Sequence, residues 1–407
     1  MEGSGVKVYS YRWVVLGAFM CINLTIQILW ICFATITGPA AQHYGVSDLR
    51  IGLLAMVFMM VYIPAAIPAS WVIDRFGFRK GVGLGAVLLG VFGLLRGIFS
   101  RDYNLVFYFT IGIALGQPLL LNSFTTLAAK WFPLNERATA SGLAMAANYI
   151  GTTVGLMLTP VLVTRYGIDS TQMIYGIVTA LSALVFLALA REQAPTPQSP
   201  PGYEERSMMF DGLRRILCQR DFWFCMVIFF VGFGVFNGLA TWIENIVRPR
   251  GMSINQAGML GGLLLMGGIA GAFVIPTLSD HYRKRKPFIL IGMICAIPGL
   301  LGFSFFHSYR MLLISVFVLG FFMMGLGPIG YQYAAEITYP APEGSSNALL
   351  VLAGQVSVVF IFGMEFINNR FGSFTPSLLL AAGLMALNCV LISLLKESIL
   401  LRNGAKY

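Results

Sequence analysis

Twelve long apolar stretches separated by short polar loops leave this chain few folds to choose from. They run over 14–36, 51–73, 81–99, 105–127, 139–162, 171–190, 222–246, 254–277, 287–306, 311–333, 346–367 and 376–395. A helix needs about 20 mostly apolar residues to cross a bilayer. With 57% hydrophobic and 11% charged residues and a mean hydropathy of +0.78, the 407 residues offer too little polar surface for a water-soluble domain. Backbone polar groups in lipid must be satisfied within the segment, and the runs are too long and too uniformly apolar for barrel strands. The expectation is an all-α membrane protein with twelve transmembrane helices.

The loops alternate between basic and nearly uncharged. With both termini on the cytoplasmic side, 19 Lys and Arg fall on that side and 8 on the other, together the 27 of the chain. Such a bias is the positive-inside pattern, and it agrees with an even number of spans. It also accounts for the net charge of +10 without a nucleic-acid partner. The expected location is therefore the plasma (inner) membrane, crossed many times, with membrane lipid as the surrounding partner. Residues 1–12 are short and polar, and the first apolar run is long enough to span, so no cleavable leader is expected. Five of the six cysteines sit inside spans and Cys218 lies in a cytoplasmic segment, a placement that predicts no disulfide.

Residues 191–220 interrupt the pattern. They are rich in Pro and charge and read as a linker ending in a short amphipathic helix near 211–219. Six spans precede the linker and six follow it, which predicts an N-terminal bundle over 1–190 and a C-terminal bundle over 221–407. The two parts repeat one another. Asp74-Arg75-Phe76-Gly77-Phe78-Arg79-Lys80 follows span 2, and Asp280-His281-Tyr282-Arg283-Lys284-Arg285-Lys286 follows span 8. Arg137 and Glu136 stand after span 4 where Glu336 stands after span 10.

Two six-helix repeats around a central loop, with the D-R-x-G-x-R-K run after span 2, resemble the major facilitator superfamily. Ser70 stands where that signature usually has its first Gly. The resemblance implies two pseudo-symmetric six-helix bundles and transport by alternating access. The loop charges read as a latch: a carboxylate at one helix end can accept bonds from a neighbouring helix N-terminus, and Arg75, Arg79 and Lys80 can pair with acids such as Glu136. Asp74, Arg75, Arg79, Glu136, Arg137, Asp280 and Glu336 form the expected gating set.

In such folds the solute site lies near the midplane, lined by spans 1, 4, 7 and 10 and their neighbours. Polar groups at that depth are costly and need a partner or a cavity. The expected substrate-binding residues are Gln27 and Trp30 of span 1, Gln117 of span 4, Asn148 and Tyr149 of span 5, Asn237 of span 7, Gln332 of span 10 and Gln355 of span 11. Asn23, Asn122, Thr241, Trp242, Tyr331 and Tyr333 lie at similar depth. None of the 17 acids and none of the three His falls at mid-span. That predicts a facilitator or exchanger rather than a proton-driven carrier. Arg96 is the only base inside a span, near its outer end, where it can snorkel. The absence of a central base favours neutral or cationic solutes, and Trp with amides can box a cation through its π face.

Three segments, 42–80, 148–163 and 320–350, resemble more narrowly the feline leukaemia virus subgroup C receptor-related family of choline, ethanolamine and proposed haem transporters. By position, Trp30 matches that family's choline-facing tryptophan and Gln355 its span-11 pocket glutamine. Tyr149 replaces a pocket glutamine, and Asn237 an aromatic. No His or Cys stands in the expected cavity as an axial haem ligand, and no cofactor or metal is expected. The resemblance thus implies a monomeric carrier of a small, choline-like amine. An organic-anion or multidrug carrier of the same fold, and a non-transporting receptor, remain the alternatives. No P-loop, HExxH or nucleophile elbow is present, so no enzyme is expected.

Overall fold

The computed structural model describes residues 8–133, 136–196, 216–338 and 343–397. Among them there are helices and turns but no strand, as apolar surroundings require of a chain that closes no barrel. The chain divides into two compact units, Met1–Ser207 and Met208–Tyr407.

The first unit contains α1 (Tyr11–Ile31), α2 (Thr37–Tyr44), α3 (Asp48–Phe76), α4 (Phe78–Ile98), α5 (Tyr103–Leu121), α6 (Phe124–Trp131) and α7 (Arg137–Leu189). The second contains α8 (Arg220–Val247), α9 (Ile254–Tyr282), α10 (Lys286–Phe305), α11 (Tyr309–Thr338), α12 (Glu343–Val356), α13 (Val358–Phe371) and α14 (Thr375–Leu394). Most of the amphipathic helix expected near 211–219 lies outside the described residues.

Among the described residues, eleven helices are long and apolar enough to cross a membrane. One of them, α7, runs for 53 residues with a non-helical glycine inside it, Gly167 at φ 80°. The Thr159 hydroxyl nevertheless lies 2.8 Å from the Tyr175 hydroxyl. Sixteen residues of straight helix would separate them by about 24 Å. The chain therefore folds back at Gly167, whose positive φ an L side chain adopts only with strain, and α7 is a hairpin of two membrane-length limbs. That is how eleven helices accommodate twelve apolar stretches.

Among the described residues three spans are divided between successive helices, and α8 is kinked at Trp242. The first stops at Ile31 and resumes at Thr37, the fourth is interrupted between α5 and α6, and the eleventh between α12 and α13. At each break a side chain takes up backbone acceptors. Thr37 Oγ1 donates to the carbonyls of Phe33 and Ala34, Ser123 Oγ to Leu119 and Ser357 Oγ to Gly354.

Small residues set the helix packing, as expected where apolar surface alone gives no drive to associate. The first limb of α7 lies on α1 at Gly151, where an added Cβ would stand 2.9 Å from Leu24 Cα, and at Gly155, 3.2 Å from Ile28 Cα. The second limb lies on α4 at Gly176, 3.1 Å from Leu94 Cα. In the second unit Gly271, Gly320 and Gly325 play the same part between α9 and α11. Gly151→Ala is expected to force α1 from α7 and lower stability by about 1–3 kcal/mol, read as a lower thermal midpoint in detergent. Gly142, where an added Cβ would meet nothing within 4 Å, is the control, and Gly142→Ala should stay within about 0.5 kcal/mol of wild type. Equal shifts for the two variants would contradict this packing.

Candidate functional site: uncharged mid-span residues and two charged corners

The charges of the signature loop are arranged differently from the expected latch. Glu136 pairs with Arg12, Oε2 to Nη2 at 2.9 Å, not with the loop bases. Arg75 is exposed and stacks over the rings of Trp71 and Phe76. Arg137 donates to the carbonyls of Phe132 and Ala129, and Asp74 is exposed. The carboxylate that meets the N-terminus of α4 is one outside the expected gating set, Glu192. Its oxygens accept from the backbone N–H of Phe78 at 2.9 Å and of Arg79 at 2.7 Å, and the Lys130 ammonium pairs with it. Helix N-termini favour such anions because four N–H groups there lack intrahelical partners. Gly77, at φ 89°, gives the carboxylate its room: an added Cβ would stand 2.7 Å from Glu192 Cδ.

The second unit builds the same corner. Glu397 Oε1 accepts from the backbone N–H of Arg285 at 2.9 Å and of Lys286 at 3.3 Å, at the start of α10. The Arg285 guanidinium pairs with Asp280 and, at 3.2 Å, with Glu336. Asp280 and Glu336, far apart in sequence, are thus joined through one base. The backbone repeats as well: Trp131 Nε1 donates to the Arg191 carbonyl, and the Tyr333 hydroxyl to the Lys396 carbonyl. A sequence signal for both acids exists, since each unit's last span is followed by a base and then a Glu, Arg191-Glu192 and Lys396-Glu397.

Of the expected solute-binding residues, Gln27 is buried on the face of α1 that meets α7, with its Cβ 3.0 Å from the Cβ position at Gly151. Asn148 lies one turn before Gly151 on the first limb of α7. Trp30 is half-buried, and its indole N–H donates to the Ala55 carbonyl of α3 at 3.2 Å. Gln117 is buried on α5. The side-chain oxygens of Gln117 and Asn148 are buried and have no hydrogen-bond donor among the described residues. Tyr149, next to Asn148 in sequence, is half-buried.

In the second unit Asn237 is buried on α8 between Gly234 and Gly238, which meet Phe360 and Met364 of α13. Gln355 is half-buried at the end of α12, next to Gly354, which packs on Phe233. Gln332 is exposed and donates to Glu336, which ties it to the charged corner.

Several other polar residues have purely internal roles. Asn122 accepts from the Tyr62 hydroxyl and donates to the Ala66 carbonyl and to Ser70, so it joins α3 to α5. Trp242 is fully buried, donating to the Ile361 carbonyl and lying 5.9 Å from the Phe374 ring. Arg96 does not snorkel. It is 1% exposed, with its guanidinium turned into the first unit. Reaching outward would leave the carbonyl of Leu29 at the broken end of α1 without the donor it has at 3.1 Å.

Repeated helical units, broken spans, uncharged mid-span amides and charged corners at the helix starts define a polytopic membrane carrier of the two-repeat type. The sequence profile of the Major Facilitator Superfamily matches residues 15–362 and again 246–400, and the chain belongs to that superfamily. Solute carrier family 49 member A3 of Xenopus tropicalis is 29% identical over 91% of this chain and 81% of its own length. The choline/ethanolamine transporter FLVCR2 of Rattus norvegicus is 27% identical over 98% of this chain and 77% of its own. A bacterial homologue of the human lysosomal transporter Spinster, in an inward-facing, unoccupied conformation, shares the fold, with a TM-score of 0.72 at 18% identity and 96% of each chain covered.

Glu192→Gln keeps an oxygen at the start of α4 but removes the charge that Lys130 and the helix end share. It is expected to lower stability by about 1–2 kcal/mol, read as a fall in thermal midpoint. Arg75→Gln, which alters only an exposed ring contact, should change it by less than about 0.5 kcal/mol. A larger effect at Arg75 than at Glu192 would restore the expected latch.

Proposed function

We propose that this protein is a secondary carrier of a small neutral or cationic organic solute, a choline- or ethanolamine-like amine, working by alternating access as a facilitator or exchanger. The observation that carries this reading is the composition of the mid-span set. Trp30 offers a π face, and Gln117 and Asn148 offer buried acceptor oxygens without donors among the described residues. Acceptor oxygens and an aromatic face suit an ammonium or hydroxyl group, and no base in the set supplies the charge that would balance an anion. The single base within the spans, Arg96, is committed to Leu29, Thr110 and Cys32. The names of the relatives, choline/ethanolamine transporters among them, point the same way.

A facilitative mode is supported by the state of the acids. Glu244, at the outer end of α8, is bound by Arg248, with Nε to Oε1 at 2.8 Å, rather than standing alone at mid-span. The plasma membrane, with the basic loops and both termini in the cytoplasm, fits the Lys and Arg distribution. In this reading the solute is the one small-molecule partner and the chain works as a monomer. Asp280 and Glu336 of the second corner, with Asp74, Arg75, Arg79, Glu136 and Arg137, are the charged residues that rearrange between states. Within the first unit Gln27 and Tyr149 border the solute beside Trp30, and within the second Asn237 and Gln355 are the solute-binding residues.

Trp30→Ala is expected to raise the KM for choline or ethanolamine about tenfold, the effect of a lost cation–π contact of ~1–2 kcal/mol. Initial uptake rates in proteoliposomes over a range of solute concentrations measure it. An unchanged KM would remove the aromatic element of the site, and a preference for carboxylates over amines would turn the reading to an organic-anion carrier.

A further inference from the structure

We propose that Arg96 is a positioning residue for the solute site: it caps the broken end of α1 and thereby holds Trp30 in place. This inference rests on the reading above that Trp30 meets the solute. A guanidinium inside a membrane bundle is costly unless something offsets its charge. Arg96 is 1% exposed. Its Nη1 donates to the Leu29 carbonyl at 3.1 Å and to Thr110 Oγ1 at 3.5 Å, and its Nη2 to Cys32 Sγ at 3.5 Å. The Phe33 ring centroid lies 5.7 Å from Cζ. Among the described residues no carboxylate forms an ion pair with it.

What offsets the charge is the helix end itself. α1 stops at Ile31, well inside the apolar stretch, and its last carbonyls lack the partners that a continuing helix would supply. The C-terminus of a helix carries a partial negative charge that a cation stabilises. Arg96 donates to the acceptor on one side of Trp30, Leu29, and to a side chain on the other, Cys32. Cys32 Sγ also receives Gln172 Nε2, at 3.8 Å, from the second limb of α7. The Thr110 hydroxyl spends its own hydrogen on the Val106 carbonyl, which leaves its lone pairs for the guanidinium. The end of α1 is thus tied to α4 and α5 through one cation, and to α7 through Cys32 and Gln172. The Trp30 indole is tied to α3 through Ala55. An aromatic face attracts a cation only when presented to it, so fixing the backbone beneath the ring fixes the strength of that attraction.

Arg96 is not offered as a solute ligand. Its effect on transport should pass through Trp30, and a double-mutant cycle separates that from a general loss of stability. The variants Arg96→Met, Arg96→Lys, Trp30→Ala and Arg96→Met with Trp30→Ala are reconstituted as full chains, and choline uptake is normalised to folded protein. Arg96→Met should raise the KM about tenfold while the maximal rate changes less than about twofold, the order expected for one lost charge-assisted contact. Arg96→Lys keeps a cation at the helix end but loses the fork, and should hold the KM within about threefold of wild type. The double variant should be no worse in KM than Trp30→Ala. Where Arg96→Met yields no folded protein, the same cycle is run with Arg96→Lys, whose smaller effect must also vanish in the Trp30→Ala background. An unchanged KM in Arg96→Met, or effects that multiply in the double variant, would overturn the inference while leaving the proposed solute site intact. Should Trp30→Ala itself leave the KM unchanged, the solute reading fails and this inference falls with it.

Discussion

A polar group surrounded by hydrocarbon must find its partner within the protein, and the architecture of this chain follows from that demand. The spans are helices because helices satisfy their own backbone. Threonines inside them spend their hydroxyls on carbonyls four residues back, as at Thr152, Thr153, Thr159, Thr164 and Thr179. Each helix break places a Ser or Thr hydroxyl, or the Arg96 guanidinium, on the carbonyls it exposes. Amide oxygens without a donor among the described residues are found at Asn23, Gln117, Asn148, Gln172, Asn347 and Asn388, and of the expected solute-binding residues only Gln117 and Asn148 carry one.

The same demand produces the repeat at the charged corners. In each unit the third membrane helix begins with backbone N–H groups that need an acceptor, and a Glu just past the sixth span supplies it. The corners differ in how the carboxylate is balanced. Glu192 is met by Lys130, whereas Glu397 stands beside an Arg285 already held by Asp280 and Glu336. The second corner therefore gathers more charged side chains than the first.

Much of the fold is legible in the sequence because hydropathy and loop charge are summed over many residues. The spans and the repeat emerge this way, and the match to the superfamily agrees with them. The breaks at 32–36, at 122–123 and at Ser357 do not, since a window of about 20 apolar residues averages over a short interruption. Charge pairing escapes for a different reason. Arg12 and Glu136, or Glu192 and the start of α4, are remote in sequence, and a spacing rule sees only neighbours on one helix. Span position alone sets the depth of Arg96 and suggests that it reaches outward. Its inward turn depends on the broken end of α1, which hydropathy does not reveal. For the mid-span residues, depth can be read from position along a span. Position does not separate Asn122 and Trp242, which serve internal bonds, from Gln117 and Asn148, whose acceptor oxygens lack a donor among the described residues.

The central claim is that an uncharged, aromatic-sided set of residues moves an amine without a proton. Counterflow in proteoliposomes tests it most directly: vesicles loaded with unlabelled ethanolamine or choline are diluted into labelled solute, with pH equal on both sides and the potential clamped. The predicted result is transient accumulation of label that carboxylates do not compete away. No counterflow of any amine under the clamp, with uptake appearing only when a pH gradient is imposed, would contradict it.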